Sequence, residues 1–205
     1  MRTLFRPVGL AEMGLILDAN LTGFPPRLPE QPIFYPVLNK PYADQIARDW
    51  NTKDKFSGYV GFVTEFRVSS PFIDNYEEQL VGSSMHHELW IPAEDLEEMN
   101  ANIVGKIKLV DAFYGDEYKG PAPDGARFEG ENPIEQFVIW NKRYNHHDMD
   151  FYLELKKHWK CIYMNYPYWS RTDFEDRGIS AEAKSKTLQF FQTYWQIHFP
   201  EIQLF

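Results

Sequence analysis

The chain has 205 residues, 43% of them hydrophobic and 17% aromatic, and carries a formal net charge of −9. That size suits one medium domain, or a domain with an extension, with enough apolar material for a real core. The acidity argues against a non-specific nucleic-acid or anionic-membrane binder, which needs a basic footprint, and the single Cys161 argues against disulfides or a thiolate zinc site.

The segment Met1–Leu10 lacks the apolar core of a signal peptide, and no apolar run approaches the ~18 residues of a membrane span. A cytoplasmic protein without membrane partners is expected. A toxin exported by a dedicated machine would read the same way.

Thr3–Val8 begins as a strand, and Pro7 predicts that it ends near Arg6. Leu10–Asn20 follows with Leu10, Met13, Ile16 and Leu17 at helical spacing. Gly23–Pro41 contains Pro25, Pro26, Pro29, Pro32, Pro36 and Pro41, so it is not one helix. Its apolar residues predict an ordered loop with a short strand around Ile33–Tyr35. Asn39–Trp50 is the clearest helix, capped by Asn39, started by Pro41, with Tyr42, Ile46 and Trp50 on one face.

Tyr59–Val68 alternates as a strand. Ser69–Tyr76 reads as turn or short helix, Gln79–Val81 as a strand, and Glu88–Ile91 as another. Pro92-Ala93-Glu94-Asp95 starts a helix predicted to run to about Asn102. Ile107–Phe113 closes the series as a strand. Tyr114–Pro133, rich in glycine, proline and charge, is the best internal boundary. Beyond it Ile134–Asn145, Asp150–Cys161 and Ala181–Phe199 carry helical spacing. The expected organisation is a domain over 1–113, a linker over 114–133, and a helical extension over 134–205 packed on the first part.

The stretch Gly82–Leu96 is chemically the densest. Glu88 follows His86 and His87 and precedes Leu89-Trp90-Ile91. On a strand Glu88 points away from Leu89 and Ile91, and at most one of the two histidines shares its face. A carboxylate at the head of a strand suits a catalytic role; it also suits a plain edge-strand glutamate.

Three pieces, in this order, resemble the ADP-ribosyltransferase superfamily. They are Phe5-Arg6 on the first strand, Ile33-Phe34-Tyr35 leading into Tyr42-Ala43-Asp44-Gln45-Ile46-Ala47, and Glu88-Leu89-Trp90-Ile91 before the acidic start Pro92-Ala93-Glu94-Asp95-Leu96. Several stretches are also similar to short bacterial proteins given an "ADP-ribosylation/crystallin J1" label. No Ser-Thr-Ser motif accompanies Arg6, and Tyr35-Pro36 stands where the superfamily usually has Tyr-Phe. The resemblance covers roughly residues 3–113. It implies an α+β fold with a split, mostly antiparallel sheet, the mainly helical carboxyl-terminal part being additional.

It further implies NAD as substrate, cleavage of the nicotinamide–ribose bond, and transfer of ADP-ribose to an unidentified acceptor. Glu88 would be the catalytic carboxylate facing the oxocarbenium-like transition state. Tyr35 would stack on nicotinamide, Arg6 would fork onto the pyrophosphate or organise the carboxylate, Arg27 would be a second phosphate contact, and His87 would line the cofactor site. Arg6, Tyr35 and Glu88 are then expected in one cleft, and a Glu88 carboxylate on the opposite face from Arg6 would count against the transferase reading. Plainer roles also fit: Arg6 as a tie for the amino terminus, Tyr35 as a core tyrosine, Arg27 as a solvated loop cation.

Two rival readings need no transferase. His146-His147-Asp148-Met149-Asp150 has residue types suited to a divalent metal, although adjacent ligands rarely face one centre. Alternatively the chain is a non-catalytic binding or regulatory protein. Its aromatics, Trp140, Tyr144, Trp159, Tyr163, Tyr166, Tyr168, Trp169, Tyr194 and Trp195, would then form an interaction face or fill the core of the helical half.

Overall fold

The computed structural model describes residues 1–125, 128–146 and 150–205. It is mixed α+β, with small antiparallel sheets, and divides into two compact units, Met1–Tyr118 and Lys119–Phe205.

The first unit opens with β1 (Arg2–Val8) and α1 (Leu10–Asp18). The proline-rich segment follows, holding β2 (Ile33–Phe34), and then α2 (Lys40–Asp49). Asn39 caps α2 by accepting from the Tyr42 backbone N–H. Next come β3 (Val60–Val68), α3 (Ser70–Ile73), β4 (Glu78–Leu80), β5 (His87–Leu89) and β6 (Ile91–Pro92). A 3₁₀ turn leads into α4 (Leu96–Ala101), and β7 (Lys108–Tyr114) completes the unit.

β3 is central, antiparallel to β1 on one side and β7 on the other. β4 and β5 form a separate hairpin, and β2 pairs with β6. One residue joins the two halves. Val37 bridges Phe5 of β1 on one side and Glu88 of β5 on the other. The sheet therefore runs β7, β3, β1, the Val37 segment, β5, β4, and is pinched where Val37 stands.

Prolines explain the pinch. Phe5 exchanges both backbone bonds with Val37. Pro7, two residues on, faces the same side and has no N–H to extend that ladder. Strand β1 nonetheless continues to Val8, because Pro7 needs no donor toward β3, where it sits in a register position opposite Val63. The sequence-based stop at Arg6 was thus too early. On the other flank Leu89 N–H donates to the Pro36 carbonyl, but Pro36 cannot return a bond.

α2 covers one face of the sheet, where Val37, Tyr42, Ala43, Ala47 and Val63 form a core with Phe5, Ile46, Val110 and Phe113. The opposite face buries Leu4, Val8, Phe34 and Phe66, with Phe24 ring-packed on both phenylalanines. Gly61 lies under α2, and a Cβ there would fall 2.5 Å from Ala47 backbone atoms. Only glycine lets helix and strand approach this closely.

The second unit is helical: α5 (Pro133–Asn145), α6 (Phe151–Lys157), α7 (Trp159–Arg171) and α8 (Ala181–His198). The helix expected over Asp150–Cys161 is divided at His158, and its second half continues through Pro167 to Arg171. Of the aromatics weighed as an interaction face, Trp140, Tyr163, Tyr166, Trp169, Tyr194 and Trp195 are buried in this unit's core.

Candidate functional site

The segments 33–38 and 87–92 run antiparallel in one register. Val37 stands opposite Glu88, Phe34 opposite Ile91, and Ile33 opposite Pro92. Counting along that register sets Tyr35 opposite Trp90. Directly opposed residues point to the same face, and side chains alternate along each strand. Tyr35, Val37, Glu88 and Trp90 therefore share the face covered further along by α2.

Contacts agree with this count. The Tyr35 and Trp90 rings meet edge to face at 6.1 Å. Both are open to solvent, 39% and 48% exposed. The Trp90 indole Nε1–H donates to Glu88 Oε1 at 2.7 Å. Glu88 Oε2 faces the Tyr42 hydroxyl at 3.5 Å. Burial pushes the Tyr42 phenol pKa up, and the neighbouring Glu88 charge pushes it further, so at neutral pH Tyr42 is a donor. The Tyr42 ring in turn stacks on the His86 imidazole, 4.4 Å between centroids. The result is a half-buried carboxylate with an aromatic donor on each oxygen and an open aromatic edge beside it.

Arg6 does not join this group. Phe5 aligns with Val37 and Glu88, so Arg6, the next residue, projects from the other face. Its guanidinium is forked by Glu12, with Nε to Oε1 at 2.8 Å and Nη2 to Oε2 at 3.3 Å. A third donor reaches the Tyr35 carbonyl at 3.3 Å, and the group lies over the Phe34 ring at 4.5 Å. Arg6 is only 8% exposed. The expectation of Arg6, Tyr35 and Glu88 in one cleft is corrected here: alternation along β1 separates the arginine from the other two.

Arg27 is held on the same side as Arg6. It donates to the Ile33 carbonyl at 3.2 Å and to Gln31 at 2.8 Å, and lies 4.0 Å from Glu12. Burial lowers its pKa, and the Arg6 charge lowers it further, against the opposing pull of Glu12 and Tyr35. Both arginines thus tie down the proline-rich segment. His87 aligns with Leu80, on the opposite face from Glu88, and its Nδ1 lies 3.6 Å from Glu78. Glu78 also pairs with Arg2.

Sequence reasoning missed Trp90 and Tyr42 as partners of Glu88. The Trp90 signal was available, since residues two apart on a strand share a face. Tyr42 required knowing which helix lies over the strand. Of the metal reading, His147, Asp148 and Met149 fall outside the described residues. Among the described residues no three His, Cys, Asp or Glu are grouped to hold a metal ion. Comparison with protein-family models, curated proteins and solved structures gives no significant match.

Proposed function

We propose that the first unit is an ADP-ribosyltransferase-like domain that takes NAD as substrate and transfers ADP-ribose to an acceptor. The observation that carries this reading is the Glu88 carboxylate, held by Trp90 and Tyr42 on the face that also presents Tyr35. Its setting is a pinched antiparallel sheet in which the strand of Glu88 adjoins the Tyr35 segment, which adjoins β1.

The chemistry follows from those groups. The bond from ribose to the nicotinamide nitrogen breaks, and its electron pair leaves with the ring, quenching the pyridinium charge. Positive charge develops on the ribose, and a fixed carboxylate stabilises it most when the bond is longest. The acceptor then supplies an electron pair to the ribose carbon and loses a proton. Tyr35 and Trp90 offer flat apolar surfaces for the departing ring. Arg6 is assigned no phosphate contact, because its fork is neutralised by Glu12.

The test is nicotinamide release from NAD by the full chain, alone and with lysate as acceptor source. Glu88→Gln should lower the rate by about 10²–10³ while NAD affinity changes little. Equal turnover by wild type and variant would remove Glu88 as the catalytic group.

A second reading is a non-catalytic binding or regulatory protein on the same fold, favoured by Arg6 lying on the opposite face from Glu88, the placement that counts against transfer, and by Arg6 and Arg27 being engaged internally. Failure of the folded wild type to bind NAD in a titration would select it.

A further inference from the structure

Tyr42 is fixed from two directions. Asn39 Oδ1 accepts from its backbone N–H at 2.9 Å, and the Asn39 amide donates to the Met85 carbonyl at 2.7 Å. Helix start and β4–β5 loop are therefore tied through one side chain. The second hold is His86. Its Nδ1 accepts from the Ser83 backbone N–H at 3.2 Å, so that nitrogen carries no proton. The proton then sits on Nε2, which donates to Gln45 Oε1 at 3.1 Å. Gln45 is one helical turn beyond Tyr42, so the imidazole lies flat on the tyrosine while gripping its neighbour on α2. The loop closes tightly around the ring: a Cβ on Gly82 would fall 2.4 Å from His86 Nδ1.

These contacts form one path. The 82–86 loop sets His86, His86 sets Tyr42, and Tyr42 faces the Glu88 oxygen that Trp90 leaves open. We propose that Tyr42 and His86 are positioning residues that transmit the conformation of the 82–86 loop to the Glu88 carboxylate. Any partner that moves this loop would thereby change how Glu88 is presented. The catalytic consequence rests on the transferase reading; the mechanical coupling does not.

The experiment uses the full chain and a reporter that needs no NAD. The Trp90 indole N–H donates to Glu88, so its ¹H–¹⁵N resonance reports the carboxylate position; Trp90→Phe assigns it. Tyr42→Phe keeps the ring stacked on His86 and removes only the hydroxyl. His86→Phe keeps a ring on Tyr42 and removes the Ser83 and Gln45 bonds. Both variants should shift the Trp90 resonance, and in the NAD assay both should lower kcat with KM unchanged. An unmoved resonance in both folded variants overturns the proposal, and movement in Tyr42→Phe alone removes His86 from the path. Absence of NAD cleavage by wild type would sink the transferase reading, while the resonance would still decide the coupling.

Discussion

Arg6 shows how one position of strand parity redirects a side chain's role. The residue type suits a pyrophosphate, and its neighbour Phe5 lies on the same face as Glu88. Arg6 instead faces the buried side, where Glu12 holds it, with 10% and 22% side-chain exposure for the pair. Arg6→Met keeps much of the stem over Phe34 but leaves Glu12, among the described residues, facing Arg27 alone at 4.0 Å. The loss should be about 2–3 kcal/mol, below that for a fully buried pair because Glu12 keeps some water. Chemical denaturation measures it, and Arg6→Met with Glu12→Gln should recover part of it. NAD affinity should stay unchanged; lost affinity at full stability would return Arg6 to the ligand. Sequence alone could not decide this, because Glu12 meets Arg6 only once α1 has folded back on β1.

At the scale of elements, what was legible followed from short-range chemistry. Asn39 and Pro41 marked the start of α2, and Asn39→Ala should cost about 1 kcal/mol by leaving the Tyr42 N–H without its cap. The pinch at Val37 was not legible, since it depends on which strands Pro7 and Pro36 face. Nor was the break at His158. That residue is buried at the junction of α6 and α7, near Glu154 and Lys157 of α6, Arg143 of α5, Asp124 and the Phe128 ring. Burial lowers its pKa below the ordinary 6.5, and Lys157 and Arg143 add to the lowering against Glu154 and Asp124. As pH falls through 6.5 the unfolded chain takes the proton first. Stability should therefore decline from that point until the folded-state pKa is reached, then level off with respect to this group. Thermal melts between neutral and mildly acidic pH should show the decline, and His158→Phe should flatten it. An unchanged slope in that variant would assign the acid sensitivity elsewhere.

Over the whole molecule, charge and aromatic mass are divided unevenly. Residues 1–118 hold ten Lys and Arg against eighteen Asp and Glu, a net of −8, so nearly all of the chain's −9 lies in the first unit. The buried aromatics are conspicuous in the second unit: Phe128, Phe137, Trp140, Phe151, Tyr163, Trp169, Phe174, Phe191 and Trp195. Among its described residues, rings form a nearly continuous set, from Phe137 on Trp169 and Phe174 to Trp195 on Tyr163 and Phe199. Polar groups support them: Asn165 links Gln136 to the Pro121 carbonyl, and the Trp169 indole donates to the Pro133 carbonyl. Each large ring buries ~150–250 Å², which offsets the small size of the unit. A fragment of residues 119–205 should therefore fold alone, with helical circular dichroism, a cooperative melt, and blue-shifted emission from Trp140 and Trp169. A fragment that is helical but melts without cooperativity, with solvent-like tryptophan emission, would mean that this core needs residues 1–118 to set.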